Sequence, residues 1–179
     1  FFVRLAVALQ KAGVDQHLVI REHPERAEYM RDHGCAVTEL PFGGRFDIKT
    51  HLGFRRAIKD FAPDVVLTWM NRATRFCPPS RGRFRHVARL GGYYDLKYYR
   101  HCDHLVGNTR DIVDYLKRRG WPEERAHYLP NFVAGERADP LPRKTLYTPD
   151  NAPLILALGR LHENKAFDVL IKAVAKVPN

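Results

Sequence analysis

Cysteine is scarce and odd in number: Cys35, Cys77 and Cys102 are the only three in 179 residues. They cannot build a disulfide framework and suit a reducing compartment, so a cytoplasmic location is expected. Long apolar runs are also missing. None approaches the ~20 residues of a membrane span, and Arg4 interrupts the apolar opening before a signal peptide can be read. There is no Gly-x-Gly-x-x-Gly, Walker loop or Gly-x-Ser-x-Gly, so dinucleotide, P-loop and hydrolase readings lack support. His101-Cys102-Asp103-His104 is too tightly bunched for spaced zinc ligands, and no metal is expected. Acidic residues are the minority, 20 against 30 Lys and Arg, for a net charge of +10. That excess favours an anionic partner: a phosphorylated ligand, an acidic membrane surface or nucleic acid.

What is present is alternation. Phe2, Leu5, Leu9 and Ala12 fall at helical spacing before Gly13, so residue 1 already lies inside a helix pattern and the chain reads as a fragment cut at both ends. Strands are expected at 17–20, 35–40, 64–69, 85–90, 104–107 and 126–129. Helices are expected at 25–33, 48–61 and 111–119, the second with Ile48, Leu52, Arg55, Ile58 and Phe61 on one side. Short apolar strands separated by helices imply βα units and a parallel sheet. The strand expected before residue 1 would leave a gap inside that sheet. Residues 133–152 hold Pro140, Pro142 and Pro149 without a sustained period and read as a linker. Residues 153–159 then read as a new buried strand, followed by a helix from about Ala166 on the face Phe167, Leu170, Ile171, Val174 and Val177. The domains expected are therefore an α/β domain over 1–132, the linker, and the first βα unit of a second α/β domain over 153–179.

The most specific segment is 158–173, Leu-Gly-Arg-Leu-His-Glu-Asn-Lys-Ala-Phe-Asp-Val-Leu-Ile-Lys-Ala. Gly159 ends the expected strand, Arg160 follows at its carboxyl end, and Lys165 precedes a helix. Two cations converging at a helix start suit a diphosphate. This segment resembles the family 4 retaining glycosyltransferases of GT-B fold, whose second domain opens with a strand, Gly-Arg-Leu, a short spacer, Lys-Gly and a helix. Gly159, Arg160, Leu161 and Lys165 match, while Ala166 stands where the family has Gly. A second match is Val106-Gly-Asn108-Thr109 opening a helix, then Tyr128-Leu-Pro130-Asn131, with Phe132 replacing the glycine of the family's turn.

The resemblance implies two Rossmann-type parallel-sheet domains, here the acceptor-side domain without its first strand and the start of the donor-side domain. It implies transfer of a sugar from a nucleotide-diphosphate donor to a hydroxyl acceptor with retention, without metal or other cofactor. Arg160 and Lys165 would be the catalytic cations, binding the donor diphosphate with Gly159 and stabilising the leaving charge. The family's first-domain His is matched neither at Thr68-Trp69-Met70-Asn71 nor at Leu90-Gly91-Gly92-Tyr93. The fragment alone is expected to be inactive.

Two further sets of residues stand out. Gly91, Gly92, Tyr93 and Arg89 are expected at the carboxyl end of a strand, where they would line the acceptor cleft. Residues 65–94 contain six Arg and no Asp, Glu or Lys. Of these, Arg72, Arg75, Arg81, Arg83 and Arg85, with Phe76 and Phe84, would form an anion-binding surface. That surface would dock on the inner face of a membrane or hold a phosphorylated or lipid-linked acceptor, such as an envelope lipid or lipopolysaccharide core. The rival readings are a sugar-nucleotide epimerase on the same fold and a basic nucleic-acid-binding module. The second is disfavoured because the basic stretch interrupts a buried α/β pattern, so no nucleic-acid partner is expected.

Overall fold

The computed structural model describes every residue except 45, 134, 136, 137, 150, 178 and 179. It separates into two compact units, Phe1–Val133 and Ala134–Asn179, which are taken in turn.

The first unit opens with α1 (Phe2–Lys11), whose apolar residues Phe2, Val3 and Ala6 pack into one cluster with Leu18, Ile20, Ala27, Met30 and Cys35. β1 (His17–Arg21) follows, then α2 (Pro24–Asp32). Pro24 sits at the first helical position, where its missing N–H is not needed. β2 (Ala36–Leu40) pairs in parallel with β1, His17 opposite Ala36 and Arg21 opposite Leu40.

α3 (Ile48–Phe61) is capped by Asp47, which accepts from the Thr50 N–H at 2.9 Å. Its buried stripe is Thr50, Phe54 and Ile58. Ile48 and Leu52, expected on the inner side, are exposed instead. The stripe that packs is Thr50-Phe54-Ile58, at i, i+4, i+8, and Leu52 lies roughly 200° of helical rotation from Phe54. Gly53 lets the helix approach the sheet: a Cβ there would come within 2.5 Å of a Leu40 methyl.

β3 (Val65–Trp69), β4 (Arg85–Leu90), β5 (His104–Gly107) and β6 (Ala126–Tyr128) form a second parallel sheet in that order. Among the described residues β3 has a ladder partner on one side only, and β1-β2 stands as a separate sheet. The expected interruption between the two sets of strands is present. The apolar run of β3, read as a buried parallel strand, is covered on one face only. Val66 and Thr68 are buried while Val65 and Leu67 are exposed.

Between β3 and β4 runs α4 (Met70–Phe76), a two-turn helix with no expected counterpart in the sequence pattern. α5 (Arg110–Arg118) joins β5 to β6. It is capped by Thr109, which accepts from Ile112 N–H at 3.1 Å, and it buries Ile112, Val113 and Leu116. Two cores result in this half. Leu40, Phe42, Phe54, Ile58, Val66, Phe76 and Phe84 form one; Ala88, Leu90, Tyr99, Cys102, Leu105, Ile112 and Leu116 form the other.

In the second unit, α6 (Phe167–Val174) forms where a helix was expected. The strand expected at 153–159 does not: these residues carry no sheet pairing, and Leu154, Ile155, Leu156 and Leu158 are exposed. Backbone N–H and C=O groups of a strand need a neighbouring strand, and the described residues of this unit provide none. No described residue of the second unit is buried. The expected linker, 133–152, includes positions outside the described residues; Arg143–Leu146 within it forms one short 3₁₀ turn.

Candidate functional site

Parallel sheets place ligands outside the carboxyl ends of their strands. In the first unit that edge holds a cavity of about 550 Å³, within the usual range for a ligand pocket. Gly43 and Gly44 follow β2, Trp69, Met70 and Asn71 end β3 and begin α4, and Tyr94 lies four residues beyond β4. His51 from α3 and Arg72 and Arg75 from α4 complete the polar lining.

The walls are fixed by short-range chemistry. Asp47 accepts from Gly43 N–H at 2.7 Å and from the Thr50 hydroxyl at 2.5 Å, while Thr50 Oγ1 accepts from Phe42 N–H at 2.9 Å. These bonds, the Thr50 hydroxyl first, hold the Asp47 carboxyl below its ordinary pKa. Phe42 packs edge-on against Phe76 at 5.6 Å, and His51 lies 4.7 Å from the same ring.

Behind α4 lies a buried polar chain. Thr74 donates to the Met70 carbonyl at 2.8 Å, so it accepts from Thr68 at 3.0 Å, and Thr68 in turn accepts from His86 Nε2 at 3.0 Å. This order of donors assigns the neutral Nε2–H tautomer to His86. Burial pushes its pKa down to about 4. The chain ends on Met70, whose φ of 62° is left-handed. A non-glycine residue in that region is strained by about 1–2 kcal/mol.

The residues expected at the cleft sit near this cavity without lining it. Arg89 is 5% exposed. It donates to the Leu129 carbonyl at 3.2 Å and to Asn131 Oδ1 at 2.7 Å, and its guanidinium lies over Phe1 and Trp69 at 4.4 and 5.0 Å. It clamps the 129–131 segment to the sheet edge, and burial lowers its pKa. Gly91 and Gly92 turn the chain. Tyr93 points to α5, where it donates to Asp111 and meets Tyr115 edge-on at 5.4 Å. The next tyrosine, Tyr94, is the one that reaches the cavity.

The arginine-rich stretch does not form one surface. Arg72 and Arg75 line the cavity, whereas Arg81 and Arg83 belong to the turn before β4 and Arg85 opens that strand at its amino end, 3.7 Å from Asp103. Phe76 and Phe84, read as interfacial aromatics, are buried in the core and unavailable to a membrane. Sequence reasoning missed His51 and Asn71; of the Gly91-Gly92-Tyr93-Tyr94 run expected at the cleft, Tyr94 is the member that lines it. The pair Gly43-Gly44 just beyond a strand was the one signal of a ligand loop there.

In the second unit, Gly159 serves by its lack of a side chain. A Cβ there would lie 3.2 Å from the Phe167 ring and 3.3 Å from the Lys165 stem. Lys165 therefore crosses directly over the residue that precedes Arg160. Both cations are exposed, and neither has a carboxylate partner among the described residues. Ala166 has φ of 50°, a conformation glycine adopts without strain.

Comparison with known proteins decides the affiliation. The model of Glycosyltransferase Family 4 matches residues 1–137. The chain belongs to glycosyltransferase family 4. It is 35% identical over its whole length to a lipopolysaccharide core biosynthesis glycosyltransferase, LpsD, of Rhizobium meliloti (strain 1021), covering 52% of that protein. LpsE of the same organism, described in the same words, is also 35% identical, over 99% of this chain and 52% of its own length. An alpha-galactosylglucosyldiacylglycerol synthase of Streptococcus pneumoniae is 29% identical over 48% of the chain. The family-4 chain thus spans about half the length of the first two relatives.

Proposed function

We propose that the whole protein transfers a sugar from a nucleotide-diphosphate donor to a hydroxyl of an envelope-lipid or lipopolysaccharide-core acceptor, with retention at the anomeric carbon. The acceptor enters at the cavity of the first unit. Arg160 and Lys165 hold the donor diphosphate and stabilise the charge on the leaving group, in place of a metal ion. The observation that carries this reading is the packing at Gly159, which draws the Lys165 stem over the backbone beside Arg160, with neither cation paired to a carboxylate among the described residues. The kinship with LpsD and LpsE supports the acceptor class. The 179-residue chain by itself transfers no sugar in this reading.

The same proposal has the protein working at the cytoplasmic face of the membrane, held peripherally. No helix of the described residues is long and apolar enough to cross a membrane. Exposed Phe46, Ile48 and Leu52 beside Lys49, Arg55 and Arg56 support contact with acidic lipid through the start of α3.

In the whole protein, Arg160→Ala or Lys165→Ala lowers the rate of sugar transfer by roughly 10²–10³, the scale of one preorganised charge contact. Nuclear magnetic resonance of the product reports the anomeric configuration. Undiminished turnover in both variants refutes the assignment.

A further inference from the structure

The cavity at the carboxyl ends of β2, β3 and β4 has an uneven charge inventory. Its described lining includes two guanidinium groups, Arg72 and Arg75, and the imidazole of His51, and no carboxylate. Neither arginine forms an ion pair among the described residues. Arg72 reaches only the Phe42 carbonyl, at 3.5 Å, and Arg75 lies over the Tyr98 ring at 5.6 Å. Each therefore keeps hydrogen-bond donors for something else, because a guanidinium carries five N–H groups and these contacts use few of them. Two uncompensated cations in a concave site focus positive potential on whatever enters. Trp69 and Tyr94 line the same cavity, and aromatic faces of this kind pack against the apolar faces of sugar rings.

We infer that this cavity recognises its ligand through an anionic substituent on a sugar ring, a phosphate monoester or a carboxylate, gripped by Arg72 and Arg75. The inference rests on the reading of this cavity as the acceptor site and adds what the acceptor must carry. Arg72 and Arg75 lie one helical turn apart in α4, so both face one side of that helix. Planar guanidinium forks match phosphate and carboxylate oxygens better than ammonium groups do. The volume of about 550 Å³ leaves room for a sugar ring together with its charged group.

Trp69 supplies the readout, since it lines the cavity, whereas the other tryptophan, Trp121, donates to the Arg125 carbonyl at 3.1 Å in a different core. Glucose 6-phosphate, glucuronate, glucose and inorganic phosphate are titrated separately into the 179-residue chain while tryptophan fluorescence is followed. The expected result is saturable quenching by at least one of the two anionic sugars, weakened by salt, with glucose at least about tenfold weaker. The two anionic arms tell phosphate from carboxylate. Arg72→Gln and Arg75→Gln each weaken that binding about tenfold, the scale of one charge-assisted contact. The double variant Arg81→Gln/Arg83→Gln, with the same loss of charge, leaves it unchanged. Circular dichroism checks that every variant folds, and Trp69→Phe removes the signal.

Equal binding of glucose and the charged sugars overturns the anionic requirement. Inorganic phosphate binding as tightly as glucose 6-phosphate overturns the role of the sugar ring. Failure of both charged sugars to bind, or equal effects of the two sets of arginine variants, overturns the site. Absence of sugar transfer by the whole protein, with probe binding intact, counts against glycosyl transfer and leaves the cavity's specificity standing.

Discussion

Residues 65–69 and 154–158 read almost alike, Val-Val-Leu-Thr-Trp and Leu-Ile-Leu-Ala-Leu, and they end differently. The first is β3, paired in register with β4 from Val65–Arg85 to Trp69–Arg89. The second has no ladder and stands in water, Leu158 being 84% exposed. Composition alone therefore does not make a strand. A parallel strand is stabilised by its neighbours' hydrogen bonds and by helices covering its faces, and the first unit supplies both while the described residues of the second supply no neighbouring strand and bury none of residues 153–159. The contrast extends to everything built on the strands. Where β3 ends, a cavity is walled by a buried hydrogen-bonded chain; where residue 158 ends, two cations sit on an exposed turn.

The strongest way to break this comparison is truncation at matched leucines. Leu105, fully buried in β5, and Leu158 have the same side chain in opposite settings. Leu105→Ala is expected to lower unfolding stability by roughly 2–5 kcal/mol. Leu158→Ala is expected to change it by less than about 0.5 kcal/mol. Denaturant titration measures both, and a comparable loss at Leu158 means that residues 153–159 are packed after all.

A second probe reads burial through protons. His86 is neutral in the fold with its pKa lowered to about 4, against about 6.5 in an unfolded chain. The native state therefore refuses a proton that the unfolded state accepts. Stability from this group is intact above pH 6.5, falls as pH drops through the interval, and levels off near pH 4, a total on the order of 3 kcal/mol. His86→Gln should flatten this slope. A slope equal in wild type and variant shows that His86 is not the group responsible.

The smallest effect tests the turn of the second unit. Ala166→Gly relieves a left-handed alanine and is expected to stabilise the start of α6 by about 0.5–1 kcal/mol, after allowing for the added freedom of glycine when unfolded. Val169 and Leu170 donate to the Ala166 carbonyl at 3.0 and 3.1 Å, so their amide exchange should slow by about two- to fivefold. Faster exchange sinks the strain argument.

These differences also explain what the sequence could disclose. The helix 48–61 and the strand 104–107 were readable to the residue, because Asp47 and Gly107 punctuate strong periods. The inner side of that helix was misread, since Ile48 and Leu52 outweigh Thr50 in hydrophobicity while Thr50 is the residue with hydrogen bonds to make inside. α4 was invisible: four of its seven residues, Asn71, Arg72, Thr74 and Arg75, are polar or basic, and its first residue has a positive φ that no pattern announces. The arginines were conspicuous, but their division between opposite ends of the sheet depends on that unseen helix. Arg160 and Lys165 stood out by spacing. The reason for Gly159, room for the lysine stem, is a matter of three-dimensional contact.

Among the described residues β3 is paired on one side only, and its other side leaves backbone groups to be satisfied by water or by a further strand. Alternate residues of β3 turn unused N–H and C=O groups away from β4, with Val65 55% and Leu67 38% exposed and no proline or charged side chain among Val65–Trp69. Sheet edges elsewhere are usually blunted by such devices. This one instead offers a template on which a further strand can add, and the net charge of +10 is what opposes such stacking between copies. A lysine at position 67 is the gatekeeper that this strand lacks, and solubility is the property it would change first.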